Sequence, residues 1–187
     1  MKLFRLICSI VLSIVVLILA GCGATVTYET ISLATLQPGG AVPPPTGEVV
    51  LTIEGKISQK NAGKTLQFDM ATLESIGVVQ YYVDDPLVKK NILYSGVILS
   101  QLLKVAGAAP DATALTIWAL DNYSTDMKIS DASKWPVLVA TRADGAYIPI
   151  EKNGSLISVF PFNDFPEIDH LTYDNQWIGA LAKITVK

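Results

Sequence analysis

The chain has 187 residues, with 14 Lys and Arg against 17 Asp and Glu, and a net charge of −3. No basic cluster exceeds the pair Lys89-Lys90, which excludes nucleic acid as a partner, because phosphates need a basic face. Cysteine occurs only at Cys8 and Cys22, and histidine only at His170. Beyond residue 22 there is no thiol for a disulfide, a nucleophile or a metal, and no site can be built from several imidazoles.

Lys2 and Arg5 precede an apolar run from Leu6 to Leu19, which ends in Leu19-Ala20-Gly21-Cys22. A basic start, an apolar centre and small residues before a cut site form the layout of a secretory signal. The run has 14 residues, short for a membrane span of about 20. The closing tetrad resembles the lipobox of bacterial lipoprotein precursors. That resemblance implies cleavage before Cys22, a diacylglyceryl group on its sulfur, and a cell-envelope protein held to the membrane by lipid. Gly23 follows the cysteine where inner-membrane proteins often have Asp, so in a Gram-negative source the periplasmic face of the outer membrane is expected. Residues 1–21 are therefore read as a signal peptide and 22–47 as the lipidated N-terminus and its tether. Residues 48–187 are read as the domain.

The tether holds Gln37-Pro38-Gly39-Gly40 and the run Pro43-Pro44-Pro45, which resist a helix or a central strand. Thr25–Ser32 alternates enough for an edge strand but is read as loose. A tether of this kind reaches roughly 25–30 Å and lifts the domain off the bilayer.

The domain opens with a strand at Val49–Ile53, stopped by Gly55, and a short strand at Leu66–Phe68. Asp69 is placed to cap a helix from Met70 to Ser75, with Gly77 as its stop. Val78–Val83 reads as a strand broken by Asp84-Asp85-Pro86. Leu99, Leu102, Leu103 and Ala106 recur at helical spacing, and Gly107 lies just past them. Strands follow at Leu115–Ala119 and Tyr123–Ile129 around the turn Asp121-Asn122. Ser130 or Asp131 is placed to cap a short helical turn ending near Trp135. Asp144-Gly145 joins strands Val137–Arg142 and Tyr147–Ile150 as a hairpin. Leu156–Phe160, a long loop from Pro161 to Asn175, and a closing strand Leu181–Val186 complete the chain. Short strands with a few short helices imply an α+β fold with a mixed sheet.

From Tyr94 onward the order of motifs resembles the molybdopterin-binding domain of the sulfite oxidase family. Tyr94-Ser95-Gly96-Val97-Ile98-Leu99 with Leu102-Leu103 and Ala106-Gly107 is similar to the family's aromatic-x-Gly-Val-Pro-Leu helix, with Ile98 in place of proline. Asp121-Asn122-Tyr123, Leu138–Thr141 with Asp144-Gly145 and Pro149, Gly154-Ser155-Leu156 with Phe160-Pro161, and Leu181–Ile184 follow in family order. The resemblance implies that fold. It also implies a pocket lined by Asp84, Asn122 and Tyr123, with Arg142 near the cofactor phosphate. The family binds molybdenum through a cysteine about a dozen residues before the glycine equivalent to Gly96. Here that neighbourhood is Tyr82-Val83-Asp84-Asp85. Soft sulfur ligands hold the metal in this family, so molybdenum and catalytic residues are not expected.

These readings point to an envelope binding module that takes a molybdopterin-like, pterin-like or other small ligand, or a partner protein. A molybdopterin oxidoreductase with unusual ligation and an accessory lipoprotein docked to a redox or sensor partner are the alternatives. The loop from Asn163 to Trp177 holds Asp164, Glu167, Asp169, His170, Tyr173 and Asp174. It is read as a solvated loop with aromatic plugs or as a recognition surface. Adjacent Asp169-His170 does not make a triad, and the loop lacks the Asp-x-Asp-x-Asp-Gly calcium pattern.

Changing Cys22→Ser should abolish incorporation of radiolabelled palmitate and leave an uncleaved precursor on a gel. Equal labelling of the variant would contradict the lipobox reading.

Overall fold

The computed structural model describes residues 28–152 and 154–187. The apolar run and the tetrad with Cys22 lie outside the described residues. Strand β1 (Glu29–Ser32) is followed by β2 (Val49–Gly55), β3 (Leu66–Asp69), helix α1 (Met70–Glu74), β4 (Val78–Asp84) and β5 (Asn91–Ile98). Then come α2 (Leu99–Ala106), β6 (Ala114–Ala119), β7 (Ser124–Lys128), α3 (Ile129–Lys134), β8 (Leu138–Ala143) and β9 (Ala146–Tyr147). Strand β10 (Ile157–Val159), helix α4 (His170–Tyr173) and β11 (Leu181–Val186) close the chain.

The strands form two sheets. One has the order β1-β4-β5-β8-β10, with β9 added on β8; the other has the order β3-β2-β11-β6-β7. Among the described residues only β2 and β11 pair in parallel, which makes the second sheet mixed. Alternation sets the inner faces. Leu51 and Ile53 of β2 and Leu66 and Phe68 of β3 are fully buried, as are Leu115 and Ile117 of β6. Tyr81 and Val83 of β4 are buried, while Tyr82 and Asp84 between and beyond them are exposed. The Tyr81 hydroxyl sits 3.0 Å from the carbonyls of both Pro136 and Val159, so one phenol ties β4 to the ends of β8 and β10.

Helix α2 buries Leu99, Leu102, Leu103, Val105 and Ala106, and Gly107 ends it at φ 65°. Helix α3 begins one residue before the expected cap. Lys128 stands at its start without a side-chain bond, and Asp131 instead accepts from the Tyr173 hydroxyl at 3.1 Å. Strand β5 was not evident from alternation. Its last five residues, Tyr94 to Ile98, are all buried, so it carries no period-two pattern.

Residues 28–47 depart from the expectation of a loose tether. Strand β1 pairs antiparallel with β4, and its four side chains are all exposed. It is held by backbone hydrogen bonds, which satisfy an edge that β4 would otherwise leave open. The Val78 N–H donates to Ser32 Oγ at 3.1 Å, and the N–H groups of Thr35 and Leu36 donate to the Ser75 carbonyl at 2.8 and 2.9 Å. Val42 is buried. Beyond the proline run, the N–H groups of Thr46 and Gly47 donate to Asp69 Oδ2 at 2.8 and 2.9 Å. The other oxygen of Asp69 accepts from the Thr72 N–H at 2.8 Å and so caps α1. One buried carboxylate therefore fastens both the helix and the incoming segment.

These donors, the Thr72 amide foremost and then Gly47, hold the Asp69 carboxyl well below its ordinary 3.8. Its contribution to stability is thus present above about pH 4 and is lost as pH falls below that value through the depressed one. Asp69→Ala should cost about 2 kcal/mol in urea unfolding at neutral pH. Asp69→Asn should flatten the loss of stability below about pH 4. An unchanged acid slope would contradict the assignment.

Candidate functional site

Strand β5 is antiparallel to both β4 and β8. The turn that follows β4 and the hairpin that follows β8 therefore lie at the same end of the first sheet. Between them opens a cleft of about 340 Å³, whose lining includes Asp85, Leu87, Tyr94, Tyr147, Ile157 and Trp177.

The turn is built on Asp85, which is 4% exposed. Its Oδ1 accepts from the N–H groups of Leu87 and Val88 at 2.7 and 2.9 Å. Its Oδ2 accepts from the Tyr94 hydroxyl at 2.6 Å. Its backbone closes the turn from both sides: the Asp85 N–H donates to the Lys90 carbonyl and the Lys89 N–H donates to the Asp85 carbonyl, both at 2.9 Å. Burial first, and then the hydrogen bond to Asp85, push the Tyr94 phenol well above its ordinary value. Tyr94 meets Trp177 edge-on at 5.8 Å between ring centroids. The opposite wall is the Asp144-Gly145 turn, whose φ values of 50° and 82° are those of a tight hairpin turn. Asp144 Oδ1 accepts from the Leu93 N–H at 3.1 Å. Behind the cleft, a Cβ on Gly96 would collide with the Val139 carbonyl and Ala140, so only glycine lets β5 approach β8 there.

The expected site residues separate. Asp84 does not line the cleft and accepts from Asn91 Nδ2 at 2.8 Å; its neighbour Asp85 is the one that lines it. Asn122 and Tyr123 sit at the exposed hairpin between β6 and β7, in the other sheet, and neither lines the cleft. Asn122 has φ 68°, and the Tyr123 N–H donates to Asp121 Oδ1 at 2.9 Å. These are turn-forming roles. The pocket with Asn122 and Tyr123 facing Asp84 is thus not found at this cleft. Arg142 is engaged by α1. Its Nη2 donates to Glu74 Oε2 at 2.9 Å, its Nη1 pairs with Glu74 Oε1, and its guanidinium lies 4.1 Å from the Tyr147 ring centroid. Cys22 lies outside the described residues.

The loop after Pro161 is largely a plug. Phe160, Phe162, Tyr173 and Trp177 pack in succession, and Tyr173 meets Trp135 edge-on. His170 stacks on Phe162 at 4.1 Å, and its Nδ1 lies 2.9 Å from Asp174 Oδ1. Among the described residues no three His, Cys, Asp or Glu side chains stand together as a metal site.

Residues 85–161 match the family described as the oxidoreductase molybdopterin binding domain. That stretch supplies all of the cleft lining except Trp177 and Gly179. Its fold is that of a sulfite oxidase-type molybdopterin-binding domain. Among solved structures, the sulfane dehydrogenase SoxCD from Paracoccus pantotrophus is similar, with a TM-score of 0.55 at 18% identity. The likeness covers 73% of this chain and 37% of that one, so the chain spans little more than a third of its solved relative. No curated protein matches the sequence.

The residues that line this cleft do not fit molybdopterin. Among the described residues, the charged side chains lining the cleft are Asp85 and Asp144, and no basic residue lines it. A phosphate would face two carboxylates there. Arg142 is neutralised by Glu74. Asp85, the buried carboxylate of the cleft, already accepts three hydrogen bonds.

Tyr94→Phe would leave Asp85 Oδ2 buried without its donor. The variant should lose about 1–3 kcal/mol in chemical denaturation. Wild-type stability would show that the hydroxyl does not hold the turn.

Proposed function

We propose that this chain is a lipid-anchored binding module of the cell envelope that keeps the molybdopterin-domain scaffold and performs no molybdenum chemistry. The observation that carries this reading is the cleft lining: Tyr94, Tyr147, Trp177, Leu87, Val88 and Ile157 around two carboxylates, with no cation and no thiolate among the described residues. Aromatic and aliphatic walls with a few polar groups suit a small, flat, largely apolar molecule. A pterin-like ring without phosphate is one such molecule. A cationic substituent would be favoured over an anionic one, because the exposed Asp144 stands at the mouth. The tetrad Leu19-Ala20-Gly21-Cys22 supports lipidation and with it the envelope location, and two acyl chains hold a protein stably where one does not.

Docking to a redox or sensor partner is the second reading. It is favoured by the exposed Leu87, Val88, Tyr147 and Ile150.

Elemental analysis of natively expressed protein should find no stoichiometric molybdenum, and native mass spectrometry should find a copurifying organic ligand. Ala146→Trp, which fills the cleft mouth, should remove that ligand without unfolding the chain. Close to one molybdenum per chain would overturn the proposal in favour of an oxidoreductase. Neither metal nor ligand would favour the docking role.

A further inference from the structure

Strand β1 sets the direction from which the chain arrives. Glu29 pairs with Gln80 and Ser32 with Val78, so the chain enters β1 from the end of the sheet at which β4 runs out into Asp84. Cys22 precedes Tyr28 by six residues, a stretch that spans at most about 20 Å. A lipid on Cys22 would therefore keep the bilayer close to this end of the sheet, where the cleft opens.

That same end carries an unusual turn. Leu87 and Val88 are 60% and 55% exposed at its tip. Lys89 and Lys90 follow, both exposed, and among the described residues neither makes a salt bridge. The N–H groups of Leu87, Val88 and Lys89 are all satisfied inside the turn by Asp85. Entering an apolar medium would thus leave none of those three donors unpaired, which removes part of the cost of burying irregular backbone in lipid. The lysine stems can lie along an apolar surface while the ammonium groups reach outward. Asp84 and Asp144 are also exposed at this end of the sheet, where they accept from Asn91 and from the Leu93 N–H.

We infer that the Leu87–Lys90 turn docks on the bilayer that holds the chain's own lipid. Leu87 and Val88 enter the boundary between headgroups and acyl chains, and Lys89 and Lys90 meet anionic headgroups. The inference rests on lipidation at Cys22. Docking would place the cleft mouth at the lipid surface.

The test uses the processed, lipidated chain in vesicles of phosphatidylethanolamine and phosphatidylglycerol. Once Cys8 is cleaved away and Cys22 is a thioether, a cysteine introduced as Val88→Cys is the one reactive thiol and takes a nitrobenzoxadiazole probe. Ser133→Cys, on α3 just before β8 begins and so at the opposite end of the sheet, is the control. The probe at 88 should be quenched several-fold more by nitroxide-labelled lipid than the probe at 133, and several-fold less by aqueous iodide. Equal quenching at both positions on a chain whose mass includes the lipid would overturn the docking inference alone. A processed chain without lipid would overturn the anchor reading, and the inference with it. Shielding at 88 that requires a second envelope protein rather than vesicles would replace the bilayer with a protein partner.

Discussion

Burying an ionised carboxylate is costly unless every charge-bearing oxygen finds donors, and this condition shapes the end of the first sheet. Asp85 meets it with the amides of Leu87 and Val88 and the hydroxyl of Tyr94. To supply those amides the chain must curl back within three residues. The same curl forces Leu87 and Val88 outward and forms one wall of the cleft. The ring of Tyr94, which supplies the hydroxyl, meets Trp177 at a steep angle and ties the late loop to the early strands. The cleft, the apolar tip and the closure of the aromatic plug are consequences of one buried charge.

The fold is of the molybdopterin-binding type, and its one arginine among the described residues is engaged within it. Strands β5 and β8 approach closely at Gly96. The only arginine beyond Arg5 serves as a strut: Arg142 joins β8 to α1 through Glu74, whose Oε1 also accepts from the Thr141 hydroxyl at 2.7 Å. A half-buried, bidentate pair of this kind has geometric specificity and leaves no free guanidinium for a phosphate. Fold and chemistry separate here at identifiable residues.

Much of the scaffold was legible because single residues carry unambiguous local instructions. Asp69 before an apolar helix, Gly107 after one, and Asp144-Gly145 between two strands each perform the expected role. Strand β5 was hidden by burial on both faces, and β1 because backbone pairing, not side-chain pattern, holds it. Asp84, Asn122, Tyr123 and Arg142 do not line the cleft, and Asp85, next to the first of them, does. Asp84 and Asp85 both stood out, but parity along β4 decides between them: Asp85 shares the inward phase of Tyr81 and Val83, and Asp84 shares the outward phase of Tyr82. Period-two counting could have found this. Nothing local could have paired Arg142 with Glu74, which is 68 residues away. Nor could the hairpin at Asn122 and Tyr123, which satisfies its own turn, be told from a pocket-lining loop by composition alone.

If a cleft ringed by Asp85 and Asp144 governs what this scaffold accepts, the decisive quantity is its affinity for the phosphate-bearing cofactor. Calorimetric titration of the processed protein with molybdopterin should give no saturable heat at neutral pH. Saturable one-to-one binding, abolished by Ala146→Trp, would contradict the account.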